Sequence, residues 1–451
     1  MKHHQNNPLR TPIWNLPPSF ENTYAVINKT VHDQSFKEKH RLSNTAFTRD
    51  RTLKFSTIFL YLLNLRKHSN QVELDQFFKV ICDKKEAAQH VTKSAFSQAR
   101  LQLSSTAFID VNHQFIEHIY KSPLHYKTWK GFRLCAIDGT SIRLPNEPNI
   151  TEHFGVQKGK ANHADCAIGM ASVFYDVLNH QVIDSTIQPN NTSEKKCAAG
   201  HLQHSKDNDL IIYDRGYPGF WLYALHTKLN RKFCMRAKTN QCLLVKAFIN
   251  SNKKQAVVTY YPNKSSIKTC EENKLSTAPI TLRLIRVDLP SGVEVLITNL
   301  MDTVEYNAGL FKSLYHQRWG IEENYKRLKQ WLEIENFSGK SALSVQQDFY
   351  AKILASNLTA LMTMAAQAIV NSKTGHRKLS YQINFAQAAS KMKHKIVCLI
   401  LYAGSGIKQL IKQMIGYISK TIEAVREGRS APRPLKNIKN DIHYSAYKSA
   451  L

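Results

Sequence analysis

Three carboxylates in this sequence stand where metal chemistry would need them. Asp138 and Asp214 each close an apolar run, "FRLCAID" and "DLIIYD", and Glu322 lies within "YHQRWGIEENYKRLKQW" (315–331). A carboxylate beside a buried run is costly unless compensated. Three that converge repel one another, and divalent cations relieve that repulsion. Mg2+ suits such a set because it takes oxygen ligands and keeps waters or phosphate oxygens in its remaining positions; Mn2+ is expected to substitute. Two such ions, roughly 3.5–4 Å apart, activate a water or a 3′-hydroxyl and stabilise the leaving oxygen of a phosphodiester.

The stretch 315–331 reads as one helix. Tyr315, Arg318, Glu322 and Lys329 then sit at offsets of 0, 3, 7 and 14, within an arc of roughly 60° at about 100° per residue. An apolar seam of Leu314, Ile321, Tyr325, Leu328 and Leu332 runs beside this stripe, and Glu323 points roughly 100° away from Glu322. Arg318 is the better phosphate clamp because its planar fork makes paired hydrogen bonds. Lys329 lies about 10 Å along the helix axis from Glu322, too far to share metal chemistry but within reach of a phosphate about three nucleotides away. Taken singly, each residue has a plainer role. An Asp before Gly or Arg-Gly makes a turn, Arg318 and Glu322 form an i,i+4 ion pair, and Tyr315 is a half-buried aromatic.

The charge balance points to a polyanion. Sixty-two Lys and Arg against 34 Asp and Glu leave a net +28, which disfavours a compact state unless a partner compensates; nucleic acid is the first candidate. The N-terminal "MKHHQNNPLRTPIW" lacks the apolar core of a signal peptide. The run "IFLYLLNL" (58–65) is far short of the roughly 20 residues that span a bilayer, so no membrane role is expected. Eight scattered cysteines form no CxxC pair, which fits a reducing cytoplasm.

Residues 1–30 read as extended, and helices are expected from about 50 to 120, with Asn70 and Thr92 as caps. Lys93 and Arg100 suit either a DNA backbone or a plain helical bundle. From Lys130 the order is strand, hairpin, helix, strand, helix, strand, which predicts an α/β layer. Residues 240–300 read as an inserted β-subdomain without a clear helix. Helices resume at Val304, include an amphipathic core helix at 345–370, and end with two more before a cationic, Pro-containing tail (426–451) suited to non-specific DNA contact.

The spacing Y-x2-R-x3-E-x6-K over 315–329 resembles the signature of bacterial DDE transposases of the YREK insertion-sequence family. "IDGT" at Asp138 and "YDRGY" (213–217) are similar to that family's two aspartate strands, and "SAFSQARLQL" (94–103) to an N-terminal helix. The resemblance spans residues 50 to 370. It implies an RNase H-like core in two parts (126–240 and 302–372), interrupted by a β-rich insertion (241–301). An N-terminal helical DNA-binding region (1–125) and a C-terminal helical region with the basic tail (373–451) flank it. It implies Asp138, Asp214 and Glu322 as metal ligands, Tyr315, Arg318, Lys329, Arg215 and Tyr217 as DNA contacts, and a nucleoid-associated location. The implied activity is binding of inverted-repeat ends in double-stranded DNA by a homodimer, strand cleavage, and transfer into target DNA. A catalytically idle DNA-binding relative and a nuclease on the same fold are the alternatives. Hairpin-forming relatives place a Trp where Glu294 stands here, so a flipped base would need another aromatic, such as Tyr260 or Tyr261.

Overall fold

The computed structural model describes residues 18–82, 89–121, 126–159, 165–290, 292–403 and 406–426. The extended start expected over 1–17 and the tail beyond 426 lie outside them. The described chain begins with α1 (Pro18–His32), so residues 18–30 are helical rather than extended. There follow α2 (Gln34–His40), α3 (Phe55–Leu63), α4 (Asn70–Ile81), α5 (Lys93–Arg100) and α6 (Thr106–Tyr120). Thr92 caps α5, its hydroxyl accepting from Ala95 N at 3.1 Å. Asn70 does not cap α4. It is the helix's first residue, behind Ser69, and its amide donates to the Ser338 carbonyl at 2.8 Å.

The sheet is built from β1 (Arg133–Arg143), then α7 (Pro148–Phe154), β2 (Val156–Gln157), β3 (Cys166–Asp176), β4 (Gln181–Pro189), α8 (Glu194–His201), β5 (Asp209–Tyr213), α9 (Phe220–Lys228) and β6 (Lys232–Arg236). In space the order is β4-β3-β1-β5-β6. The first three strands form an antiparallel meander, and β5 and β6 run parallel to β1. That mixed five-stranded arrangement is RNase H-like, with helices packed on the sheet. The strands carry long buried runs, such as all five residues of β5, as expected where both faces are covered.

The insertion differs from the expected β-subdomain in two respects. It contains helices α10 (Leu243–Asn250) and α11 (Lys264–Glu272) between β7 (Gln255–Tyr260), β8 (Ile280–Leu289) and β9 (Gly292–Thr298). Its strands also extend the central sheet, because β9 pairs antiparallel with β6 and carries β8 and β7 outward. Helices of eight or nine residues are marginal alone and rest on tertiary burial; α10 buries Val245 and Phe248.

Beyond the insertion come α12 (Phe311–His316), α13 (Trp319–Lys326), α14 (Ala342–Thr374), β10 (Ser380–Ile383), α15 (Phe385–Met392), α16 (Lys395–Leu401), α17 (Ile407–Ile418) and β11 (Ile422–Val425). Among the described residues the C-terminal region thus holds three helices after α14, where two were expected, with β10 and β11 paired. Helix α14 is long and apolar enough to cross a membrane by length and composition, yet it is mostly buried inside the protein, packed against β4, α6, α3 and α17. All eight cysteines are unbridged.

One buried charge on α14 joins distant parts of the chain. Asp348 accepts from Arg66 at 2.7 Å, Arg100 at 3.1 Å and Ser338 N at 2.6 Å. Arg100 is 2% exposed and also bonds Gln347 and the Ser344 carbonyl, so it belongs to this network and not to a DNA-facing surface. Removing one partner of a buried ion pair leaves the other charge uncompensated, at a cost of about 3–5 kcal/mol. Asp348→Ala is therefore expected to lower the unfolding free energy by about that amount, read from the urea midpoint at constant slope; a change below about 1 kcal/mol would contradict the network's role.

Candidate active site

Strand register brings the two aspartates together. In the parallel pair β1–β5, Arg133 lies beside Asp209 and Ala136 beside Ile212. Carrying that register two residues further sets Asp138 beside Asp214, on strands about 4.8 Å apart. Asp138 is not at a strand tip as its apolar run suggested. It stands midway along β1, paired across β3 with Val173, where burial gives way to partial exposure. Asp214 does follow the last residue of β5, and its Oδ1 accepts from Gly216 N at 2.7 Å, so it also closes the turn.

The electrostatics record this crowding. The Asp138 carboxyl is pushed up to about 7, first by burial, with the charges of Asp214 and Glu194 adding to it and the Gly139 N–H and Arg318 opposing. Glu194 is a fourth acid, one that its sequence context does not single out. It opens α8, where an acid in the first turn reads simply as helix-dipole compensation. Burial and then Asp214 raise its carboxyl too. Gly139 makes room for it, since a Cβ there would lie 3.0 Å from Glu194 Oε1. Tyr217, expected at DNA, is fully buried instead, with its hydroxyl unpartnered in a place that feels Asp138 and Glu194. Arg215 is exposed.

The helix carrying Glu322 is not one regular helix. Between α12 and α13 the backbone tightens, with Arg318 N bonding Tyr315 O and Ile321 N bonding Arg318 O. Residues Arg327–Trp331 then form a π turn, of a kind that often marks functional sites. Gly320 lets α13 close on the hairpin, because a Cβ there would sit 3.2 Å from that of Val177. The Tyr325 hydroxyl donates to the Asp138 carbonyl at 2.6 Å, which fixes α13 across β1. Glu322 is half-exposed and bonded to Arg318 at 2.7 Å, while Glu323 influences Tyr175 instead.

Arg318 also feels Asp138 and lies over the Tyr315 ring at 5.8 Å. Burial opposes its charge, but the Glu322 bond and the neighbouring groups outweigh it. Tyr315 is itself only 8% exposed. Lys329 reaches back to β1, donating to the Ser141 carbonyl at 2.7 Å. Asp138, Asp214, Arg318 and Glu322 thus share one region of the sheet edge. The three expected ligand carboxylates are not gathered around a single point: among the described residues, the group of ligand atoms within 4.8 Å of one another is a different one, His113, Asp184 and His204.

Beside Asp214, Arg215, Arg236, Lys238 and Glu294 line a cavity of about 300 Å³. Glu294 is bridged to Arg236 at 2.8 Å, so the acid expected to repel phosphate is neutralised locally. Of the two tyrosines considered for base stacking, Tyr260 is already packed on Phe220 and Tyr223, whereas Tyr261 is 69% exposed. The donor set fits hard divalent cations, because Asp138 and Glu194, both raised by burial and then by the charge of Asp214, offer oxygen ligands alone.

A family model described as a transposase DDE domain matches residues 129–358, just over half of the 451-residue chain, and spans all three carboxylates. Over 348 residues the chain is 22% identical to the transposase InsG for insertion sequence element IS4 of Escherichia coli (strain K12), covering 77% of each protein. Among solved structures, a cryo-EM structure of the piggyBac transposase synaptic complex with hairpin DNA aligns with 88% of this chain and 85% of that one, at 9% identity and a TM-score of 0.45.

An acid that holds its proton more tightly folded than unfolded makes the fold less stable as pH climbs between the two values. For Asp138 that window runs from near 4 to about 7. A displacement of that size corresponds to at most roughly 4 kcal/mol, and partial solvent access cuts it to ~2 kcal/mol. In metal-free buffer, Asp138→Asn is expected to stabilise the protein by about that much at pH 8 and by nothing near pH 4. A difference that does not vary with pH would show the carboxyl to be unperturbed.

Proposed function

Because the chain belongs to the family of transposases built on the DDE domain, we propose that Asp138, Asp214 and Glu322 are the catalytic carboxylates with which it cleaves the ends of an insertion sequence and joins them to target DNA. What supports this reading is the parallel β1–β5 pairing, whose register continued by two residues sets Asp138 beside Asp214, together with the tie of α13 across β1. Two Mg2+ ions held by the three carboxylates would activate the attacking water or 3′-hydroxyl and stabilise the departing oxygen.

The chain's own residues supply the rest. Bound cations would favour the ionised Asp138 carboxylate and so release the proton that burial, and then the neighbouring acids, hold on it. Arg318 must exchange its bond to Glu322 for a phosphate, which frees the Glu322 oxygen in the same motion. Its fork is suited to two phosphate oxygens, and Tyr315 beneath supports the guanidinium. Arg215, Arg236 and Lys238 offer a cationic cavity for the strand adjacent to the cut, and the exposed Tyr261 ring is available to stack on a displaced base. Lys329 contacts end DNA further along, in the complex of a homodimer with inverted-repeat ends.

The test uses the whole protein with Mg2+ or Mn2+ and DNA carrying the inverted repeat that borders its own gene. End-specific nicking is expected, reduced at least about 10³-fold by Asp138→Asn. Binding without nicking would instead indicate an idle relative, and nicking without preference for the ends a nuclease. Lys329→Ala is expected to weaken end binding and to lower the log–log salt slope by about one; an unchanged slope would remove Lys329 from the phosphate contacts.

A further inference from the structure

Away from the carboxylates, three elements bring imidazoles onto one acid. Asp184 lies in β4 beside an irregularity, since Phe174 of β3 pairs with Asp184 and Tyr175 with Val182, leaving Ile183 as the extra residue. Such bulges re-aim side chains. His113 of α6 places Nε2 at 2.9 Å from Asp184 Oδ1. His204, in the short turn that follows α8, places Nε2 at 3.9 Å from Oδ2. The two rings pack with centroids 4.2 Å apart. One ligand atom from each residue lies within 4.8 Å of the others.

We infer that His113, Asp184 and His204 bind one divalent transition ion of the zinc class. Two imidazole nitrogens and one carboxylate oxygen suit zinc, and they disfavour Mg2+, which prefers oxygen alone. Tetrahedral bonds of roughly 2.0–2.1 Å set ligand atoms about 3.3 Å apart. His113 Nε2 lies 2.9 Å from Asp184 Oδ1 and His204 Nε2 3.9 Å from Oδ2, and one ligand atom from each residue lies within 4.8 Å of the others, so rotation of the three side chains brings one carboxylate oxygen and both nitrogens to that spacing. The His204 side chain is 41% exposed, leaving the fourth position open to water.

A supporting layer is already in place. His201 Nδ1 lies 2.7 Å from Asp184 Oδ2 and orients the carboxylate, as groups behind metal ligands do. Its Nε2 lies 3.0 Å from Ser172 Oγ, which donates to the Asp138 carbonyl at 3.1 Å. The site would therefore staple α6 to β4 and the turn after α8, and it connects by hydrogen bonds to the backbone of the catalytic strand.

The full-length protein, stripped by a chelator, would be titrated calorimetrically with Zn2+ in millimolar Mg2+, so that the carboxylate set is already filled. One Zn2+ per chain is expected to bind, with affinity at least about 100-fold lower in His204→Ala and in His113→Ala, and ~10–100-fold lower in His201→Gln. The exposed His204 can be removed without disturbing the core, and circular dichroism checks that it has been. Asp138→Asn is expected to retain the site even if it abolishes nicking, which separates this test from that of the carboxylates. Equal Zn2+ binding by the wild type and His204→Ala would overturn the assignment, as would loss of the zinc in Asp138→Asn.

Discussion

Two like charges on neighbouring parallel strands govern the organisation of this protein. Backbone hydrogen bonding pairs β1 with β5 as far as Ala136 and Ile212, and the same register continued two residues sets Asp138 beside Asp214. The surroundings answer this constraint. Asp138 keeps its proton to about neutral pH, Arg318 is drawn to the acids, and α13 is pinned to the strand through a neutral phenol rather than a further cation. The site is built to be unsatisfied, and the missing positive charge is what a substrate complex with its cations would bring.

Net charge alone would have placed the cations differently. Several arginines counted in the +28 are buried in structural roles. Arg133 makes two 2.7 Å bonds to Asp209 beneath the sheet, Arg283 ties β8 to the carbonyls of Leu300 and Tyr306, and Arg66 and Arg100 share Asp348. A planar fork with five donors serves buried carbonyls and carboxylates as well as it serves phosphate. Among the arginines near the carboxylates, Arg215 is exposed.

The central strands were legible because apolar runs ending in acids mark the margin of the core, where burial is costly unless something compensates it, although the pattern put Asp138 at a strand tip and it stands midway along β1. Helix α5 was legible from its cap, and α14 from its length. What escaped depends on contacts that no local pattern encodes. The Glu322 stripe assumed uniform helical rotation, but the tightened turn after α12 and the π turn at Arg327–Trp331 break it, which returns Lys329 to β1. Glu194 looked like an ordinary first-turn acid until Gly139 brought it against Asp138. Tyr217 follows an aspartate expected at the active site, yet its ring turned inward. The histidines 113, 201 and 204 gather only because a bulge in β4 aims Asp184 at them.

The shared carboxylate of Asp348 has a consequence for how the chain is born. Its guanidinium partners precede it by 282 and 248 positions. At synthesis rates of about 5–20 residues per second, Arg66 and Arg100 must wait roughly 10–60 s for it to emerge. Through that interval, burying either guanidinium would leave its charge without the Asp348 carboxylate, which is costly. The burial of Arg66 and Arg100 is therefore completed only after α14 has been synthesised, which ties the packing of the amino-terminal helices to a segment made late.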